Sequence, residues 1–258
     1  MSAAVPIVWT AATRPKVGNR ESENEDAIAV ALAALRFAVA DGATEGWHSR
    51  EWADHLAKSY VRRPPEPARF PKWLGDVRRE WSPPARTETA TAWYSEAKEA
   101  EGAFAALVGV QLVRRTTGHN WTWKAVAIGD SCLFVIRNDQ LLHAFPIESA
   151  DGFGSRPALV SSSPTVTVGD PLWLAGQAEA GDILALATDR VAEWLLSQAE
   201  AGAEVWSRVA GCLQPAKPVA RREVVTQLLD LAQTGRNDDS SLLVFVVPSI
   251  MSLDSGSV

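Results

Sequence analysis

The sequence predicts a soluble mixed fold in which strands and helices occupy separate stretches, and three observations carry that reading. Residues 121–145 are apolar strands divided by Gly, Asp and Asn turns, residues 49–60 and 218–233 repeat apolar side chains at helical steps, and two apolar runs, 36–41 and 183–189, stop abruptly on an aspartate. The chain has 258 residues, 47% hydrophobic and 22% charged, enough for a substantial core. No apolar run approaches the ~20 residues needed to cross a bilayer. The start, Met1-Ser2-Ala3-Ala4-Val5-Pro6, lacks the basic and apolar regions of a signal peptide, so the expectation is a cytoplasmic protein with no membrane partner. A formal charge of −6 leaves no electrostatic footprint for nucleic acid. Cys132 and Cys212 are too few and too far apart for a disulfide framework or a thiolate metal site, and read as core residues.

In order along the chain, Val5–Thr13 reads as an opening strand, followed by the turn-rich basic loop Arg14–Arg20. Asn24-Glu25-Asp26 leads into a second strand through Leu32, expected to pair with residues 35 to 41 and so to bring Glu25 and Asp26 near Asp41. Trp52, Ala53, Leu56 and Tyr60 mark a helix from Ser49, stopped by Pro64-Pro65. Further helices are expected at Pro71–Trp81 and Thr89–Ala100, then a strand over Ala105–Val113. The tryptophans of this half (Trp47, Trp52, Trp73, Trp81, Trp93) read as rings that fill helix-to-core packing.

Trp121–Ile128 and Cys132–Arg137 read as a hairpin closed at Gly129-Asp130, with a third strand through Phe145. Residues 149–170, rich in Ser, Gly and Pro, read as a mobile connection. The buried strand Ile183–Asp189 runs into a helix, Val191–Ala199, in which Glu193 shares a face with Asp189. Helices over Ala203–Leu213 and Pro218–Gln233, the turn Gly235–Ser240 and a last strand, Ser241–Val247, complete one domain over residues 1–248, with residues 249–258 expected to be a disordered tail.

The chemistry lies in the strand ends. A buried strand that delivers Asp41 at its tip, followed by Gly42 whose backbone can approach closely, is a way to hold a metal ion; Asp-Gly after an apolar run is also a common hairpin turn. Asp130 can be a plain turn residue, and Asp189 a helix N-cap. Yet five acidic positions, Glu25 or Asp26, Asp41, Asp130, Asp189 and Asp238, all fall at strand ends, and no histidine shares that placement. All-oxygen ligand sets suit magnesium or manganese rather than zinc. Gathered carboxylates repel unless cations neutralise them, and two ions sharing a carboxylate activate water and neutralise a phosphoryl group. Phosphoester hydrolysis is the reaction class that follows.

Asn24-Glu25-Asp26-Ala27, Val39-Ala40-Asp41-Gly42, Ala127-Ile128-Gly129-Asp130-Ser131, Leu186-Ala187-Thr188-Asp189 and Asn237-Asp238-Asp239-Ser240 resemble, in order and approximate spacing, the motifs of the metal-dependent type 2C (PPM) protein serine/threonine phosphatases, in their short bacterial branch. The resemblance runs from about residue 5 to residue 247. It implies an α+β fold, a four-layer α-β-β-α sandwich of two antiparallel sheets flanked by helices, with metals at one edge. It implies two Mn2+ or Mg2+ ions with a weaker third site: Asp41 bridging both ions, the Gly42 carbonyl binding one, Asp189 and Asp238 completing the other, Glu25 acting through water, Asp26 hydrogen-bonding the attacking water, and Asp130, Asp189 and Glu193 at the third site. The implied reaction is attack by a metal-bridging water on phosphoserine or phosphothreonine. A phosphorylated protein is the implied substrate, with a cognate Ser/Thr kinase as a further partner.

The pattern departs from the family at two places. The arginine often found five residues before Asp26 is Glu21 here, with Arg20 one step earlier, so the phosphate grip falls to Arg20 through a one-residue bulge, or to Arg14 or Lys16. Arg190 follows Asp189 where relatives have glycine, which makes it either a phosphate ligand or a side chain that displaces a metal. The alternative function is a non-catalytic phosphatase-like module that binds a phosphoprotein or kinase partner.

Overall fold

The computed structural model describes residues 7–43, 48–82, 102–114, 121–154, 157–166 and 169–249. The strands are β1 (Trp9–Arg14), β2 (Ala27–Ala31), β3 (Arg36–Gly42), β4 (Phe104–Arg114), β5 (Trp121–Ile128), β6 (Cys132–Arg137), β7 (Gln140–Phe145), β8 (Val160–Ser161), β9 (Leu172–Ala178), β10 (Ile183–Ala187) and β11 (Ser240–Val246). The helices are α1 (Ser49–Arg62), α2 (Phe70–Glu80), α3 (Asp189–Glu200), α4 (Val205–Gly211) and α5 (Pro218–Ala232). One sheet has the order β1-β11-β10-β6-β7, the other β2-β3-β4-β5-β9 with β8 added to β4, and the neighbours described are antiparallel.

Side-chain alternation turns these sheets into layers. Phe37, Val39, Val108 and Val110 point inward to meet Leu184, Leu186, Leu243 and Phe245 of the other sheet, with the Phe37 and Phe245 rings stacked at 3.8 Å between centroids. Their neighbours point outward. Ala38, Ala40, Leu107 and Val126 pack under Trp52, Leu56, Tyr60 and Trp73 of α1 and α2, while Phe134, Ala185 and Val244 pack under Val191, Leu195, Val209 and Val225 of α3 to α5. Three apolar layers between four layers of structure make the α-β-β-α sandwich. Strands buried on both faces read as continuous apolar runs, which is why the sequence shows them so clearly.

The helices begin and end where their chemistry dictates. Pro71 and Pro218 lie in the first turns of α2 and α5, where a missing N–H costs nothing, and α1 stops short of Pro64-Pro65. Trp52 and Trp73 are buried and also hydrogen-bonded, Trp52 Nε1 donating to the Val160 carbonyl at 2.8 Å and Trp73 Nε1 to that of Arg63 at 2.7 Å. They are packing residues, as expected. Both cysteines are free and buried. Among the described residues no helix is long and apolar enough to cross a membrane.

Two expectations are corrected. β5 and β6 form no hairpin: β5 pairs with β4 and β9, β6 with β10 and β7, and Gly129-Asp130-Ser131 carries the chain from one sheet to the other. Gly129 takes φ +94°, and a Cβ there would lie 2.6 Å from that of Ala106, so the glycine serves a tight crossover. The region after residue 170 holds an unforeseen strand, β9, an edge strand whose Leu172 is 51% exposed, so its alternation does not read as half-buried. Residues 149–170 contain a 3-10 turn at Ala150–Gly152 and β8. The helix expected over Thr89–Ala100, Trp47, Trp93 and all but the first residue of the expected tail lie outside the described residues.

Candidate metal centre

Strand register brings the acids to one end of both sheets. Ala27 lies opposite Ala40 in the β2–β3 ladder, so Asp26 and Asp41 are one step further on at the same end. Ala187 lies opposite both Cys132 and Leu242, which sets Asp130, Asp189 and the turn before β11 around the tip of β10. Gly42 closes the approach: a Cβ there would lie 2.8 Å from the Glu25 carbonyl oxygen and 2.8 Å from that of Ser49. Only glycine lets the entry to β2 and the start of α1 press on β3 this tightly.

Hydrogen bonds hold the loops that carry the acids. Asn24 Oδ1 accepts the Asp26 N–H at 2.9 Å, an Asx-type turn that sets the start of β2. Thr188 Oγ1 donates to Asp26 Oδ2 at 3.1 Å and accepts the Ser241 N–H at 2.9 Å. Asp26 Oδ1 is buried without a protein partner. Asp239, buried, accepts the N–H of Lys16 and that of Glu25, each at 2.8 Å. Asn237 Oδ1 accepts the Val17 N–H at 2.6 Å, and Gln233 Nε2 donates to the carbonyls of Pro15 and Asp238, each at 2.9 Å. The first and last loops of the chain are thereby stitched together beside the acids.

The carboxyls share one electrostatic field. Burial pushes the Asp41 carboxyl well above its usual range, and repulsion from Asp26, Asp189, Asp130 and Asp238 adds to it. Burial likewise raises Asp26, with repulsion from Asp239 and Asp189 adding and the nearby Ser241 and the Thr188 hydroxyl opposing. Asp130 is pushed up to about 6, first by burial and then by Asp189. Three cationic side chains answer this charge: Lys16 Nζ lies 3.2 Å from Asp238, Arg236 pairs with Asp189, with Asp238 at 3.1 Å and with Glu193 at 3.7 Å, and Arg190 Nη1 lies 3.5 Å from Glu193.

Asp26, Asp41, Asp130, Asp189 and Asp238 gather into one field, and Glu193 joins them through Arg236. Glu25 sits at their margin, its charge felt by Lys16. Of the arginines expected to grip substrate, Arg14 and Arg190 are engaged by other groups. Arg14 Nε pairs with Asp230 of α5 at 3.0 Å. Arg190 is buried, its Nε donating to the Ala232 carbonyl at 2.8 Å, so it caps the C-terminus of α5 while its Nη1 lies 3.5 Å from Glu193. Arg20 is exposed at the start of a 3-10 turn, Glu21–Glu23. Sequence reasoning missed Arg236, Asp239 and Thr188. Each is a direct neighbour of a predicted acid or lies two residues from one, and that adjacency was the available signal.

The donor chemistry fits a divalent cation: several carboxylates in one field, and a buried carboxylate oxygen of Asp26 without a partner. Among the described residues no histidine enters, and the Cys132 thiol donates to the Asp130 carbonyl at 3.3 Å. Among the described residues no three acids close around one point, and Arg236 stands between Asp189, Asp238 and Glu193.

No protein-family model and no curated protein sequence matches the chain. Solved structures do match. The photosystem II phosphatase PBCP superposes with a TM-score of 0.62 at 16% identity, over 95% of this chain and 100% of that one. The catalytic domain of the serine/threonine phosphatase PstP, in complex with two manganese ions, gives 0.57 at 19% identity over 94% and 99%. The PPM Ser-Thr phosphatase MsPP from Mycobacterium smegmatis, in complex with cacodylate, gives 0.58 at 16% identity over 95% and 100%. At such identities the likeness is one of fold, and nearly the whole chain takes part: this protein has the fold of the PPM-type serine/threonine phosphatases.

Proposed function

We propose that the protein is a metal-dependent phosphatase acting on phosphoserine or phosphothreonine in proteins. The observation that carries the proposal is the convergence of Asp26, Asp41, Asp130, Asp189 and Asp238 on one rim of a sandwich whose solved examples include serine/threonine phosphatases. Asp41, the Gly42 carbonyl, Asp189 and Asp238 would hold two Mn2+ or Mg2+ ions, with Glu25 in support, and Asp130, Asp189 and Glu193 would hold a third. Bound there, the cations would lower the pKa of water and screen the phosphoryl charge. Asp26 offers its partnerless Oδ1 as the acceptor for a proton of the attacking water, while Thr188 holds its other oxygen in place. Lys16, at 3.2 Å from Asp238, supplies positive charge at the rim for a phosphate oxygen. A phosphorylated protein is the substrate in this reading, and a Ser/Thr kinase its supplier.

Arg236 among the acids favours a second reading, a phosphatase-like module that binds a phosphoprotein or a kinase without catalysis. Hydrolysis of para-nitrophenyl phosphate and of a phosphothreonine peptide, with Mn2+ or with EDTA, separates the two. The catalytic reading expects Mn2+-dependent turnover that falls at least about 100-fold in Asp41→Asn, as for removal of a group acting in the transition state. Absence of turnover by the parent on both substrates would leave the binding module.

A further inference from the structure

Arg236 lies in the turn between α5 and β11, and that turn is held from two sides. On one side Asn237 and Gln233 bind the loop at Pro15 and Val17. On the other, Arg190 fills the space beneath Gly235, where a Cβ would lie 2.7 Å from its Nη2. The backbone is therefore fixed while the Arg236 side chain, 47% exposed, reaches over the acids. Its Nη2 pairs with Asp189 and Asp238 and its Nη1 with Glu193. Two of those three carboxylates are the ones assigned above to a single cation.

A guanidinium keeps its charge throughout the working pH range. Its presence between Asp189 and Asp238 thus offsets their mutual repulsion permanently, and a divalent ion seeking the same oxygens must displace it. We propose that Arg236 is a built-in counter-ion that competes with a divalent cation for Asp189 and Asp238, so that cation uptake on this side of the site requires the arginine to swing out. The inference rests on the metal-dependent reading and adds a control on it. Asp26 and Asp41 do not pair with Arg236, so the competition falls on one side of the cluster and the two cations should bind in unequal steps. The swing also frees a planar cation at the rim, beside Lys16, at the moment the site becomes loaded.

The test is a Mn2+ titration of the full chain followed by the electron paramagnetic resonance signal of free Mn2+, on the parent, Arg236→Gln, Arg236→Lys and, as a control on a remote exposed helix start, Arg69→Gln. Arg236→Gln should tighten the weaker step about tenfold, equivalent to about 1.4 kcal/mol. Arg236→Lys should stay near the parent, because it restores the charge, and Arg69→Gln should match it. Melting supplies a second readout: in EDTA the Gln variant should melt below the parent, and saturating Mn2+ should close that gap. A parent that binds Mn2+ while Arg236→Gln binds it equally or more weakly overturns the counter-ion proposal and leaves the metal site standing. Absence of Mn2+ binding by parent and Gln variant alike overturns both. Binding by the Gln variant alone supports the proposal in its strongest form, an arginine that keeps the site closed to metal.

Discussion

Asp239 is expected to hold the rim together, and its removal can be costed from its contacts. The side chain is 4% exposed and accepts two backbone N–H groups, those of Lys16 and Glu25, each at 2.8 Å. These bonds join residues more than two hundred positions apart, so nothing local replaces them. Asp239→Ala orphans both donors, and hydrogen bonds to a charged acceptor are worth about 1.5–3 kcal/mol each, giving about 3–6 kcal/mol. The same change relieves repulsion on Asp26, which Asp239 helps to raise, and so returns a part of that loss. The net loss is about 2–5 kcal/mol, or a fall in melting temperature of about 5–15 °C for a chain of this size. Urea unfolding followed by tryptophan fluorescence at neutral pH in EDTA measures it. Asp239→Asn keeps one acceptor oxygen and should lose about half as much. A loss below about 1 kcal/mol for the alanine variant would refute the reasoning, since two buried donors cannot be abandoned that cheaply.

Two further outcomes follow from the same site. Asp26, Asp41 and Asp130 all have folded-state pKa values raised by burial and mutual repulsion, Asp130 to about 6, so the stability they contribute is complete below the unfolded value and is lost as pH rises through the folded one. Asp130 alone accounts for about 3 kcal/mol at most between about pH 4 and 6. The metal-free protein should therefore melt higher near about pH 5 than near about pH 7.5, and a melting curve that is level or rises over that interval contradicts the clustering. Gly42→Ala places a Cβ 2.8 Å from two backbone carbonyl oxygens that cannot rotate away, an overpacking cost of about 1–3 kcal/mol, and it should also weaken Mn2+ binding. Unchanged melting in that variant would mean the rim is looser than its contacts indicate.

The legible parts of the fold were those with a local signature. Apolar runs buried on both faces announced β3, β10 and β11, and three- and four-residue spacing announced α1 and α5, because burial leaves its period in the residues themselves. Strand partnership has no such imprint. Gly129-Asp130 between two apolar strands carries the same signal whether the chain reverses within a sheet or passes to the next one, and only the register with Ala187 and Leu107 decides. β9 was invisible because an edge strand half-turned to solvent blurs its alternation. At the site, aspartates that end strands stood out, whereas Arg236 was hidden in a turn whose composition reads as punctuation. Arg190 was visible as an oddity, but its destination, the carbonyl of Ala232, is a tertiary contact that no spacing encodes.

The central claim is that Asp41, Asp189 and Asp238 meet at one rim and share divalent cations there. A crystal grown with Mn2+ and measured for anomalous scattering tests it most directly. The account predicts manganese peaks bordered by Asp41, Asp189 and Asp238, with the Arg236 guanidinium moved off Asp189. Peaks elsewhere, or an Arg236 still paired with Asp189 and Asp238 at saturating Mn2+, would contradict it.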